Sequence, residues 1–117
     1  MRIISGQFRG KKLTAPEGQN TRPTSDRLRE SLFNILQHKL KGGFYQKRVA
    51  DIFAGTGALG LEALSRGATE VWLVDNDHQA QKAISANINS LKTDHPPRLI
   101  KSDARHLPAS QTAFAKE

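Results

Sequence analysis

The sequence predicts an α/β fold built on a parallel sheet, and three observations predict it. From residue 47 onward, the strand-like runs "RVADIF", "EVWLVD" and "RLIKSD" alternate with the helix-like runs "ALGLEALSRG" and "NDHQAQKAISANINSLK". The second strand-like run is apolar almost throughout, as suits a parallel strand covered on both faces. Gly55, Gly57 and Gly60 of "GTGALG" fall where the first strand must turn into the first helix. With 117 residues the chain has the size of one domain.

The opening stretch "RIISGQFRGKKLTAP" has two short runs around Gly6 and Gly10 and predicts a hairpin with a glycine-assisted turn. The polar segment "EGQNTRP" reads as a linker. In "TSDRLRESLFNILQHKL", Thr24 or Ser25 caps a helix on which Leu28, Leu32, Ile35 and Leu36 recur at helical spacing. That stripe is expected to pack on the sheet, leaving Asp26, Arg27 and the basic residues outward, with "KGG" at 41–43 ending the helix. Gly67 ends the next helix. In the helix after the second strand, Ala80, Ala83, Ile84, Ala86 and Leu91 are the expected core positions. Pro96 and Pro97 lead into the third strand. The organisation expected is a basic hairpin and helix over residues 1–46, then a sheet-bearing portion over 47–117.

The chain has no cysteine, which excludes disulfides and cysteine-ligated zinc, and no apolar run of the ~20 residues that a membrane span needs. The N-terminus lacks the ~7–15-residue apolar core of a signal peptide, so a cytoplasmic protein is expected. The net charge of +7 is unevenly placed: residues 1–48 hold 11 Lys/Arg against three acids, and residues 49–117 hold seven against eight. A basic segment on a near-neutral scaffold suits a polyanion, nucleic acid first, with a merely solvated basic surface as the plain alternative. Ser5 and the histidines 38, 78, 95 and 106 show no spacing that suggests nucleophilic or metal chemistry.

"GTGALG" matches G-x-G-x-x-G, and Asp75 closes the second strand 20 residues after Gly55, where an acid can accept from ribose hydroxyls. This much suits a dinucleotide or another adenosine ligand. Asp51, four residues before Gly55, separates the two. At ~4 Å and an effective dielectric of ~20, a carboxylate repels a like charge by about 4 kcal/mol, which disfavours a pyrophosphate. S-adenosylmethionine carries a sulfonium and an ammonium, and both favour a nearby carboxylate. Asp103, after the third strand, is placed to accept from an adenine amino group. The competing readings are a strand-end cap for Asp51, bonded to loop amides, and a local structural role for Asp103.

With these residues in view, "TRPTSDRLRESLFNIL", "DIFAGTGALGLEALSRGA" and "LVDND" closely resemble the bacterial 16S ribosomal RNA (guanine(966)-N2)-methyltransferase family, over Met1 to about Leu107. The resemblance implies a Rossmann-like class I methyltransferase fold that uses S-adenosylmethionine to methylate a guanine exocyclic N2 in small-subunit ribosomal RNA. Carried onto this chain, it implies cofactor binding by Asp51, Phe53, Ala54, Gly55, Thr56, Gly57, Gly60, Asp75, Asn76, Asp103 and Ala104. It implies an RNA-facing set of Arg2, Arg9, Lys11, Lys12, Arg22, Thr24, Arg27 and Arg29, with 16S ribosomal RNA or the small subunit as partner. It also implies that the chain stops short of the fourth strand and of the Asp/Asn-Pro-Pro-aromatic motif that follows it. "DHPPR" at 94–98 is no substitute, because its prolines precede a strand and no aromatic follows. No catalytic residue and no metal is assigned. The complete family member is expected to be a monomer, whereas this stretch, with its first strand left at an open edge, is expected to be marginally stable or to self-associate. A noncatalytic RNA- and cofactor-binding fragment and an NAD-dependent oxidoreductase are the alternatives.

Overall fold

The computed structural model describes residues 1–15, 26–52 and 54–102. Helix α1 spans Asp26–Lys39, followed by β1 Arg48–Ile52, α2 Ala58–Ser65, β2 Glu70–Val74, α3 His78–Ser90 and β3 Arg98–Ile100. The three strands form one parallel sheet in the order β1-β2-β3. Arg48 pairs with Glu70 and Ile52 with Val74, while Trp72 pairs with Arg98 and Val74 with Ile100. Parallel neighbours need a crossover, and α2 and α3 supply one each. The expected alternation of strands and helices is therefore present, and 94–97 lie in the connection from α3 into β3, which Arg98 opens.

Ahead of the sheet, the first residues fold back on themselves. Arg2 and Lys12 form an antiparallel bridge, the Ile3 amide donates to the Lys11 carbonyl, and the Leu13 amide donates to the Met1 carbonyl. Gly6 and Gly10 both have left-handed backbones inside this reversal. Ile3 and Leu13 are buried and join Phe33, Phe44, Val49, Leu61, Leu73 and Ile84 in one core. The arm is thus an integral part of the packing around α2. That explains why α2, eight residues long, is buried on nearly every side: the sheet takes one face and the arm another.

Helix α1 departs from expectation. Leu28, Leu32 and Ile35 are exposed, at 61%, 41% and 55%, and the buried residues are Arg29 and Phe33. The inward row is Arg29, Phe33, Leu36 and Leu40, spaced by four, three and four residues. Phe33 meets Phe44 with ring centroids 5.2 Å apart, and the Arg66 guanidinium lies 5.2 Å from the centre of the Phe33 ring. An arginine heads the inward row, and of the four residues that hydrophobic spacing selected only Leu36 packs against the core. In α3 the expected Ala80, Ala83, Ile84 and Leu91 are buried, but Ala86 is exposed and Asn87 takes the inward place. The proposed caps Thr24 and Ser25 lie outside the described residues.

β1 ends the sheet on one side among the described residues. Beside it runs an apolar groove of about 270 Å³, lined by Leu32, Leu36, Val49, Ile52, Leu59 and Ala63. An open strand edge next to exposed leucines favours association. Sedimentation velocity of the 117-residue chain is expected to show concentration-dependent self-association. Changing Leu32 and Ile35 to Lys should shift it toward monomer, and a wild-type chain that sediments as monomer at every concentration would contradict this.

Candidate functional site

The turn after β1 is held almost entirely by its own protein. Ala54 N–H donates to the Val74 carbonyl at 2.9 Å, and Gly57 N–H donates to the Ala54 carbonyl at 2.7 Å. Gly55 N–H donates to Asp75 Oδ2 at 2.9 Å, and Ala58 N–H donates to Thr56 Oγ1 at 3.1 Å. Gly60 N–H donates to Asp51 Oδ2 at 3.0 Å. Gly55 and Gly57 have φ of +61° and +82°, a region that favours glycine. A Cβ on Gly60 would sit 2.3 Å from Leu73 Cδ2, so this glycine lets α2 lie directly on β2. Among the described residues, a Cβ on Gly55 would meet nothing within 4 Å.

Asp51 is the cap that the alternative reading described, since its carboxylate is buried and bonded to the third amide of α2. Burial pushes its carboxyl up to about 7, the Gly60 hydrogen bond opposes that rise, and the neighbouring Asp75 carboxylate adds to it. Asp75 holds two backbone amides, Gly55 through Oδ2 and Asp77 through Oδ1, the latter also at 2.9 Å. Each carboxylate oxygen has a second lone pair, so these bonds orient Asp75 without exhausting it. Asn76 beside it is exposed, and Asp77 caps α3 by accepting from the Ala80 amide. The structure thus gathers Asp51, Ala54, Gly55, Thr56, Gly57, Gly60, Asp75 and Asn76 at the C-terminal ends of β1 and β2, where ligands of open α/β sheets sit. Phe53, Asp103 and Ala104 lie outside the described residues.

A second constellation ties the basic arm to α2. Glu62 is fully buried, and its carboxylate accepts from Ile4 N–H at 2.8 Å and Ser5 N–H at 3.1 Å. Arg66 Nε lies 3.0 Å from Glu62 Oε2, and Arg29 Nε lies 4.0 Å from Oε1. Ser65 completes the clamp: its hydroxyl accepts from Phe8 N–H and donates to the Ser5 carbonyl, and its own carbonyl accepts from Gln7 N–H. Neither Glu62 nor Ser65 was anticipated. The signal available was a glutamate set among leucines and alanines on a helix too apolar to have a wet face.

Arg29 is a correction to the RNA-facing set. It is 1% exposed, bonded to Asp26 at 2.9 Å, and it also donates to the Arg2 carbonyl. Its charge is consumed inside the fold, so it has none to offer a phosphate. Arg2, Arg9, Lys11, Lys12 and Arg27 are exposed. Arg22 and Thr24 lie outside the described residues.

Residues 1–116 match the family model described as conserved hypothetical protein 95. The chain belongs to that family. Over 104 residues it is 42% identical to ribosomal RNA small subunit methyltransferase D of Escherichia coli (strain K12), an alignment covering 89% of this chain and 50% of that protein. The solved "Putative methyltransferase yhhF from Escherichia coli" superposes with a TM-score of 0.73 at 39% identity, covering 89% of this chain and 53% of the other. A hypothetical protein of Thermus thermophilus superposes equally well, with a TM-score of 0.73 at 33% identity over 90% of this chain and 57% of its own. The family membership bears out the resemblance carried by the sequence motifs, and the three-stranded sheet fits part of the Rossmann-like class I methyltransferase fold. The chain spans about half the length of the curated relatives it matches.

Removing one partner of a buried ion pair leaves the others uncompensated. Glu62→Ala is therefore expected to cost about 3–5 kcal/mol of stability, read as a shift of the urea midpoint. A shift within the range of an ordinary surface substitution would contradict the clamp.

Proposed function

We propose that this chain forms the cofactor-binding and RNA-facing portion of an S-adenosylmethionine-dependent methyltransferase that modifies a guanine exocyclic N2 in 16S ribosomal RNA of the small subunit. One observation carries the choice of cofactor: two of the first three amides of α2 are already bonded to side chains of the protein. A dinucleotide site uses free amides at a helix N-terminus to hold pyrophosphate. Here the Ala58 and Gly60 amides are bonded to Thr56 Oγ1 and Asp51 Oδ2, and the carboxylate stands where a phosphate would need to be. An adenosine ligand with a cationic tail fits that donor set, because it needs no anion pocket and benefits from Asp51. The relatives' names support RNA as substrate.

In this reading the segment from Asp51 to Gly60 holds the methionine part, Asp75 accepts from the ribose hydroxyls, and Asp103 with Ala104 borders the adenine. When bound, S-adenosylmethionine supplies an electrophilic methyl on sulfur. The guanine N2 lone pair is delocalised into the ring, so the acceptor is weak, and the protein's contribution is to hold it in line. The glycine turn contributes by being rigid, with its amides fixed by Asp51 and Asp75. The exposed Arg2, Arg9, Lys11, Lys12 and Arg27 contribute electrostatic attraction for the phosphate backbone.

Calorimetric titration is expected to show binding of S-adenosylmethionine and none of NAD. The pH dependence follows from Asp51, whose carboxyl ionises at about 7. A cation favours the ionised form, so affinity should rise as pH climbs from about 5.5 toward 7.5, by up to about tenfold per unit below the midpoint. Asp51→Asn should bind more weakly and lose that slope. Preference for NAD, or a slope that survives in Asp51→Asn, would count against the assignment.

RNA binding should weaken by orders of magnitude between low and moderate salt. Changing Arg2, Lys11, Lys12 and Arg27 together to Glu should abolish RNA binding in a filter assay while leaving cofactor affinity intact. Equal loss of both ligands would point to damage to the fold.

A further inference from the structure

Asn87 is 2% exposed, sits on the inward face of α3, and makes three hydrogen bonds outside its own helix. Its Oδ1 accepts from Thr14 N–H at 2.7 Å, and its Nδ2 donates to the Thr14 carbonyl at 3.0 Å. The same Nδ2 donates to the Thr56 carbonyl, in the middle of the glycine turn, at 2.7 Å. One side-chain amide therefore grips the end of the N-terminal arm through both its oxygen and its nitrogen, and the glycine turn through that same nitrogen. A second thread joins the same two segments, since Thr56 Oγ1 lies 3.6 Å from Met1 Sδ. Thr56 Oγ1 is also the acceptor for the first amide of α2, so moving Thr56 disturbs the start of that helix.

We propose that Asn87 is a positioning residue that couples the glycine turn to the basic arm, so that filling the cofactor site further restrains the arm that faces RNA. The inference rests on the proposed function for its ligands, but the link itself belongs to the chain alone. A buried amide that satisfies both a turn and an arm has a defined geometry only when both are in place. Whatever fixes one segment then favours the other, and by linkage the effect is reciprocal. α3 contributes Asn87 from a rigid helix anchored by Ala80, Ala83 and Ile84, so a displacement of the turn passes to the arm instead of being absorbed locally.

The test is amide hydrogen exchange on the full chain, with the fully buried Leu73 of β2, the middle strand, as the reference for global opening. Without ligand, Thr14→Pro removes the arm-side donor and leaves α3 and the turn unaltered in sequence. It should speed exchange at Gly57 and Ala58 by roughly tenfold while Leu73 is unchanged, as the loss of a cooperative hydrogen bond implies. Asn87→Ala should speed exchange at Thr14 and at the turn together. Unchanged turn amides in Thr14→Pro would overturn the link. Exchange that rises equally at Leu73 would do the same, since it would reduce Asn87 to general stability. With saturating S-adenosylmethionine, exchange should slow at both the turn and Thr14 in the wild type, and at the turn only in Asn87→Ala. Slowing at the wild-type turn with no change at Thr14 would sink the coupling and leave the cofactor reading standing. No slowing anywhere would sink the cofactor reading, and the ligand-free comparison would still decide the link.

Discussion

The carboxylate of Glu62, sealed between α2 and the N-terminal arm, governs how the rest of the structure is arranged. A buried charge is costly unless it is paired and fully hydrogen-bonded. Here the Ile4 and Ser5 amides, Arg66 and the nearby Arg29 meet that requirement. The exchange is mutual: a leucine at this position would fit the apolar helix but leave two arm amides without acceptors. Gly6 makes the approach possible, because a Cβ there would lie 1.9 Å from the Ser65 carbonyl oxygen. The arm is thus docked by backbone groups whose partners α2 provides in fixed places, and it cannot slide along the helix without breaking several bonds at once.

The same helix carries the glycine turn at its other end, and this end obeys a similar logic. Acids from the ends of two neighbouring strands satisfy the turn's amides: Asp51 binds Gly60, and Asp75 binds Gly55. The glycines therefore serve geometry more than ligand access. Gly60 permits the contact between α2 and β2, Gly57 supplies the left-handed start of the helix, and Gly55 alone of the three has no described atom within 4 Å of an added Cβ. In the proposed reading, the bond that Asp51 makes to the Gly60 amide, more than charge repulsion, disfavours phosphate at this turn. With an ionisation near 7, Asp51 is a weak repeller at neutral pH.

How much of this was legible in the sequence depended on whether residues were satisfied within one element or across several. The strands, α2, α3 and the glycine turn follow local period and turn chemistry, and they appeared where expected. Asp51 and Asp75 stand out in the sequence for the same reason, since each falls at or beside a strand end. Helix α1 was misread because its inward row begins with Arg29, whose partners Asp26 and Glu62 are, respectively, on its own first turn and on another helix. Ala86 was preferred to Asn87 because hydrophobicity ranks them that way. The partners that reverse the ranking, Thr14 and Thr56, are far away in the chain. Buried polar residues that clamp distant segments carry no periodic signature of their own. Their only trace is a polar residue on a face that is otherwise apolar.

That trace also bears on the basic character of the first 48 residues. Their excess positive charge suggested a surface for a polyanion, yet Arg29 is spent inside the fold, just as Arg66 at the end of α2, outside those residues, is held by Glu62. Much of the exposed remainder is carried by the arm itself, through Arg2, Arg9, Lys11 and Lys12, with Arg27 on α1. The backbone bearing the arm's charges is the backbone that Glu62, Ser65 and Asn87 grip. A cationic surface on an untethered arm would attract phosphate but could not place a base. Fixed to α2 at one end and to the glycine turn at the other, the same charges stand at a set distance from the proposed cofactor site. The proposed transfer to a weakly nucleophilic amine would need that kind of constraint.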